Sequence, residues 1–437
     1  MLVLVEIVNI LSKKLSWQID KKRVGQASAF WNMMSAGLTS IVSMILLWYV
    51  TRVNGIYDAG IFSLGFSTAQ MLLTIGNYGM RNFQATDLTN KYSMGTYLAS
   101  RIVTCCIMMM SALAFVIFKG YFFEKAVIIL LLNGLKVTDA MDDVYGAFYQ
   151  KQGRLDVSGK IMSFRIISYL LIFCIGLFWT HDLLFACSIT VIGASIVLVV
   201  LIISTKKYFC LSKPSFEMER IKSLLVECLP LCVSSFLLIY LGNAPKYAID
   251  SYLTEEMQAY YTYLFMPCFV INLFVSFVIQ PLLVRLSKYW IGRKYDMFVK
   301  MIIVVFLCTI GVAVIILAGG WLIGSELLSI VFGVKLTQYK NILIILLVGG
   351  AFFAFSTIEQ VFLTVMRKQV YLLVGFGISS LTAFVISDSW VKKVGLLGAG
   401  YSYMVSTGVL FLSLTVMFII FFSIEKCKEN INASIKK

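Results

Sequence analysis

Lys136, Asp139, Asp142 and Asp143 recur at three- and four-residue intervals in an otherwise apolar stretch. On a helix, Lys136, Asp139 and Asp143 share one face. A charge at mid-membrane costs roughly 2.5–3.5 kcal/mol on insertion scales, so such a residue turns to a partner or a watery cavity. Lys136 with Asp139 reads either as part of a transport site or as a structural ion pair. Asp142 and Asp143 lie nearer the expected cytoplasmic end, where solvation accounts for them.

Arg101 and Arg165 are expected a turn or two inside cytoplasmic helix ends, Arg81 and Arg285 at the cytoplasmic mouths of helical hairpins, and Lys246 at the opposite mouth. Taken singly, each cation can snorkel to lipid headgroups. Taken together, Arg81, Arg101, Lys136, Arg165, Lys246 and Arg285 make a cationic route. In a wet, lipid-shielded cavity they would attract phosphate or pyrophosphate strongly, because a low local dielectric amplifies the attraction. An anionic substrate follows. Glu359, within Ser356-Thr357-Ile358-Glu359-Gln360, is open to two readings: with Asp139 it serves as an ion-coupling carboxylate for Na⁺ or H⁺, or it is a neutral acid hydrogen-bonded to a neighbouring helix.

The elements that position these groups follow from composition. The 437 residues are 60% hydrophobic and 14% charged, with a mean hydropathy of +0.89. A soluble domain carries about 25% charged residues, so the chain reads as an all-α polytopic membrane protein. The net charge of +15 is assigned to cytoplasmic loops rather than to nucleic acid. The cysteines form no C-x-x-C pair and His181 is the one histidine, which disfavours zinc, haem and a disulfide framework. No phosphate-binding G-x-x-x-x-G-K-[ST] loop is present, which argues against an ATP-driven pump.

Runs of about 20 apolar residues give twelve expected spans: 30–51, 59–80, 97–118, 124–149, 159–179, 183–205, 222–242, 257–284, 298–319, 341–365, 370–387 and 395–422. With both termini in the cytoplasm, most Lys and Arg residues fall inside and Lys136 falls within the membrane. The short apolar stretch 321–334, which holds Glu326, reads as a partly inserted loop.

The basic connection 206–222 divides the chain into two six-helix bundles, 24–205 and 223–423, flanked by an interfacial amphipathic lead-in over 1–23 and a cytoplasmic tail over 424–437. Four of the five prolines, Pro230, Pro245, Pro267 and Pro281, lie in the seventh and eighth spans or their junction. Proline removes an N–H and kinks a helix, so these are expected hinges, with interrupted helices lining the moving part of a two-bundle transporter.

Three motifs carry a resemblance: Gly76-Asn77-Tyr78-Gly79-Met80-Arg81-Asn82-Phe83-Gln84-Ala85-Thr86-Asp87, Tyr149-Gln150-Lys151-Gln152-Gly153-Arg154-Leu155-Asp156 and Asn243-Ala244-Pro245-Lys246-Tyr247-Ala248-Ile249-Asp250. With these the chain resembles bacterial O-antigen and capsule polysaccharide flippases of the multidrug/oligosaccharidyl-lipid/polysaccharide exporter superfamily. The resemblance runs from Trp31 to the twelfth span, and Arg81 and Lys246 fall on motif positions.

The resemblance implies a twelve-helix, two-bundle protein of the bacterial cytoplasmic membrane. It implies translocation of undecaprenyl-pyrophosphate-linked oligosaccharide to the outer leaflet, by ion-coupled alternating access through a cationic central cavity, for surface polysaccharide biosynthesis. It implies no cofactor, H⁺ or Na⁺ as coupling ion, membrane lipids around the chain, and a polysaccharide polymerase and chain-length regulator as partners. The alternatives are a multidrug/cation antiporter of the same superfamily, for which an acidic cavity is expected, and a membrane polymerase or glycosyltransferase, for which the outer connections are short.

Overall fold

The computed structural model describes residues 21–87, 90–206, 208–210 and 212–435, apart from the side chains of 21, 22, 86, 273, 276–281, 283, 284, 369 and 427–435. Most of the expected lead-in, residues 1–20, lies outside the described residues. Among the described residues the chain is helical and has no strand. The helices are α1 (Lys21–Val53), α2 (Ile56–Asn77), α3 (Met80–Thr86), α4 (Met94–Lys119), α5 (Phe123–Lys151), α6 (Leu155–Thr180) and α7 (Leu183–Thr205), followed by α8 (Met218–Tyr252), α9 (Glu255–Ile291), α10 (Tyr295–Gly319), α11 (Ser325–Phe332), α12 (Lys340–Val365), α13 (Leu372–Val394) and α14 (Leu396–Ile435).

Twelve of these are 22 residues or longer, enough to cross about 30 Å of hydrocarbon at 1.5 Å per residue. Ten helical stretches are also apolar enough to do so. Of the other two long helices, α5 carries the charged cluster. Many large apolar side chains are exposed, among them Phe118 at 89%, Trp179 at 81% and Phe123 at 80%. That is the surface a lipid solvent requires. The chain is an all-α, multi-pass membrane protein.

It divides into two compact units, Met1–Phe236 and Leu237–Lys437, with the boundary inside α8. In the first unit α2 packs on α5 and α4, and α1 on α6. The early part of α8 joins this unit, because Leu224 and Cys228 sit in one core with Met80, Tyr92, Tyr97 and Val144. In the second unit α12 packs against α14 and α9, and α13 against α14; the rings of Phe298, Phe362, Phe418 and Phe422 pack together along that seam.

Two expectations change. Residues 321–334 are not a partly inserted loop: α10 continues through a π-helical turn, Gly320–Gly324, into α11, and the helix stops at Gly333 with φ 73°. Trp321, Leu322, Ile323 and Ile330 are exposed there, and a backbone among lipid-facing residues satisfies its polar groups best as helix. Nor do the prolines interrupt their helices. Pro230 and Pro245 lie inside α8, Pro267 and Pro281 inside α9, and all four positions are helical. Each proline still leaves the carbonyl four residues earlier without its N–H partner; the side chain of Pro281 is outside the described residues.

Candidate functional site

The first motif makes an elbow. Helix α2 ends at Asn77, and Tyr78 (φ 50°) and Gly79 (φ 66°) are both left-handed before α3 begins at Met80. Glycine is required at 79, since a Cβ there would stand 2.6 Å from the Leu231 Cβ of α8. Past the elbow, α3 points Arg81 back towards α5. Asp87 closes α3 by accepting the backbone N–H of Lys91 (2.9 Å) and of Tyr92 (3.2 Å) and the Tyr97 hydroxyl (3.2 Å). Burial alone would raise the Asp87 pKa, but these donors and the Lys151 charge outweigh it and hold the carboxyl below its usual range.

On α5 the face predicted by spacing is present, with two members the sequence reading set aside. Lys136 Nζ donates to Asp139 at 2.8 Å and lies 4.5 Å from the centre of the Phe66 ring. Arg165, on α6, donates to the other Asp139 oxygen and through Nε to Asp142 at 3.0 Å. Arg81 Nη1 donates to Asp143 Oδ1 at 3.0 Å, and Arg101 Nη2, from α4, to Asp143 Oδ2 at 2.7 Å. Solvation therefore does not account for Asp142 and Asp143; they are the counter-ions of three arginines. Asp142 and Asp143 lie three and four residues, one helical turn, after Asp139, a spacing that marked the face but could not name partners on other helices.

Nor do Arg101 and Arg165 snorkel, being 0% and 1% exposed. Arg101 is fixed twice over: besides Asp143 it donates to the Gly76 carbonyl at 2.6 Å, a helix-end oxygen left free as α2 stops. Thr104 donates to the same oxygen at 2.8 Å. Space for the Arg81 guanidinium comes from Gly146, where a Cβ would meet Ser158 Oγ at 2.6 Å and Arg81 Nη1 at 3.1 Å.

Arg81, Lys136, Arg165 and the three aspartates border an open space of about 210 Å³, completed by Gln70, Asn77 and Ser158. Three cations and three carboxylates line it, and Arg101, paired with Asp143, is the fourth cation of the ion-paired cluster without lining the space. Charge-assisted donors held by carboxylates in this way are of the type that phosphate oxygens also accept.

The other candidates stand in the second unit. Lys246 is buried on α8, 5.4 Å from the centre of the Phe265 ring. Arg285 is exposed on α9. Glu359 is 2% exposed on α12 and accepts the Thr415 hydroxyl, while its Oε2 has no hydrogen-bond partner among the described residues.

Comparison with known proteins gives four likenesses. A family model described as "polysaccharide biosynthesis protein" matches residues 26–290. The capsular polysaccharide biosynthesis protein CapF of Staphylococcus aureus is 23% identical over 385 residues, 86% of this chain and 94% of that protein. Among solved structures, the lipid II flippase MurJ in an inward closed conformation aligns with a TM-score of 0.68 at 14% identity, over 90% of this chain and 87% of that one. A multidrug resistance MATE family transporter of the MOP superfamily, inward-facing, aligns with a TM-score of 0.65 at 12% identity, over 89% and 96%. At these identities the two structures share the fold.

Proposed function

The chain belongs to the polysaccharide biosynthesis protein family, and from that membership we propose that it is a flippase. In the bacterial cytoplasmic membrane it carries undecaprenyl-pyrophosphate-linked oligosaccharide from the cytoplasmic to the outer leaflet for capsule or other surface polysaccharide. The observation that supports this reading is the arginine, lysine and aspartate cluster around open space in the first unit. A pyrophosphate diester carries more negative charge than one carboxylate and has more acceptor oxygens. Entering the cluster, it competes with Asp143 for Arg81 and with Asp139 for Lys136, while Arg101 keeps its anchor on the Gly76 carbonyl. The polyprenyl tail stays in lipid, the glycan passes with the headgroup, and no covalent bond changes.

Direction comes from an ion that prefers one state of the cycle. Of the two coupling carboxylates read from the sequence, Asp139 already holds Lys136 and Arg165. Glu359 is the better placed to take H⁺ or Na⁺, because one of its buried oxygens has no partner among the described residues. A cation antiporter would want a net negative site, whereas the ion-paired cluster, with Arg101 counted, holds four cations and three carboxylates. A polymerase and a chain-length regulator remain the expected partners.

The test is flipping of a fluorescent short-chain lipid-linked glycan in reconstituted vesicles. Lys136→Gln with Arg165→Gln is expected to slow it at least about tenfold, as loss of charge-assisted hydrogen bonds implies. Because Arg165 is buried, Arg81→Gln is run beside it, the Arg81 side chain being 33% exposed. Wild-type rates in both variants would end the proposal.

A further inference from the structure

A cavity of about 790 Å³ in the second unit is bordered by the ends of α9 and α12 and by Glu425 of α14, a size typical of small-molecule sites. None of the residues discussed so far as cavity cations lies in it. Its cations are Arg293 and Arg367, which stand in the same hydrogen-bonded turn at the ends of α9 and α12. Arg293 N donates to Trp290 O at 3.1 Å and Lys294 N to Tyr289 O at 2.9 Å; Arg367 N donates to Thr364 O at 3.0 Å and Lys368 N to Leu363 O at 2.8 Å.

Both arginines have left-handed backbones, φ 53° and 61°, a region that side chains other than glycine, asparagine and aspartate rarely occupy. Both are exposed, and among the described residues neither has an ion-pair partner. Gln360, which lines the same cavity, has an amide nitrogen that is buried yet unpartnered among the described residues. Trp290 and Tyr295, rings 5.3 Å apart, form one wall.

We infer that this cavity binds a phosphorylated sugar. The two guanidinium groups would take the phosphate oxygens, the Gln360 amide a ring hydroxyl, and the Trp290 face the sugar's C–H surface. An anion patch alone would need neither the aromatic wall nor the buried amide. The same chemistry is offered by a free cytoplasmic sugar phosphate and by the headgroup of a lipid-linked sugar, so both are probes. The inference is independent of the Asp143 cluster, and it is read without transport.

Hydrogen–deuterium exchange of the purified full chain provides the test, with glucose 1-phosphate in one arm and a short-prenyl pyrophosphate-linked N-acetylglucosamine in the other. At least one probe is expected to protect the amides of 289–295 and 363–368, and the arm that does so identifies the source. Arg293→Gln with Arg367→Gln is expected to weaken that protection about tenfold or more. Gln360→Leu, which alters no charge, is expected to weaken it too, with the thermal midpoint of each variant confirming the fold. No protection in those segments by either probe, equal protection by inorganic phosphate, or protection unchanged in the double variant would overturn the inference.

Discussion

Asp143 and Arg101 meet at 2.7 Å, and the other oxygen of the same carboxylate is held by Arg81 at 3.0 Å. One aspartate on α5 therefore ties together α4 and α3, and through the Gly76 carbonyl bound by Arg101 it ties in α2 as well.

Breaking that tie leaves a buried guanidinium short of its counter-ion, which costs about 3–5 kcal/mol for a buried pair. Asp143→Asn is expected to lower unfolding stability in detergent by that order. In a double-mutant cycle with Arg101→Gln, the pair should show a coupling of at least about 1 kcal/mol. Strictly additive losses would mean the two residues act separately.

Gly146→Ala puts a methyl group against Ser158 and Arg81. Overpacking of this kind costs about 1–3 kcal/mol, and the Arg81 guanidinium must move. Flipping by this variant is expected to fall more than its thermal midpoint does. If flipping stays at the wild-type rate while stability drops, the position of Arg81 is not what transport depends on.

Asp87 sets a pH dependence outside the spans. Its folded pKa is depressed below the ordinary 3.8, so its contribution is fully present above that value and is lost as pH falls through the lower folded value. Asp87→Asn should lower unfolding stability at neutral pH by about 1–3 kcal/mol for the lost charged hydrogen bonds, read as a lower thermal midpoint. The gap between wild type and variant should close as buffers go below 3.8. A gap that widens on acidification contradicts the assignment.

Glu359→Gln keeps the Thr415 contact but cannot take up or release a proton. Flipping driven by an imposed H⁺ or Na⁺ gradient is expected to lose its dependence on that gradient, with residual flipping down the substrate's own gradient. Unaltered gradient dependence would remove Glu359 from the coupling step.

Much of this architecture was legible in the chain, because twelve apolar runs of membrane length leave little choice of fold. The i, i+3 spacing of Lys136 and Asp139 likewise gave a pair that the structure contains. What spacing could not supply was partnership across helices. Arg165 with Asp142, and Arg81 and Arg101 with Asp143, depend on how α3, α4 and α6 lean on α5, which is a tertiary matter. Residues 321–334 misled for a different reason. Considered alone they are too short to span; joined to α10 they are the end of a longer helix. The positive-φ turns at Arg293 and Arg367 left no mark in hydropathy at all.

The elbow at Tyr78 and Gly79 has a mechanical corollary. With room only for a hydrogen between Gly79 and Leu231, α8 cannot slide past without pushing, and the push reaches Arg81 two residues on. The joint would thus act as a crank, coupling any travel of one rod to the setting of the charged arm beside it.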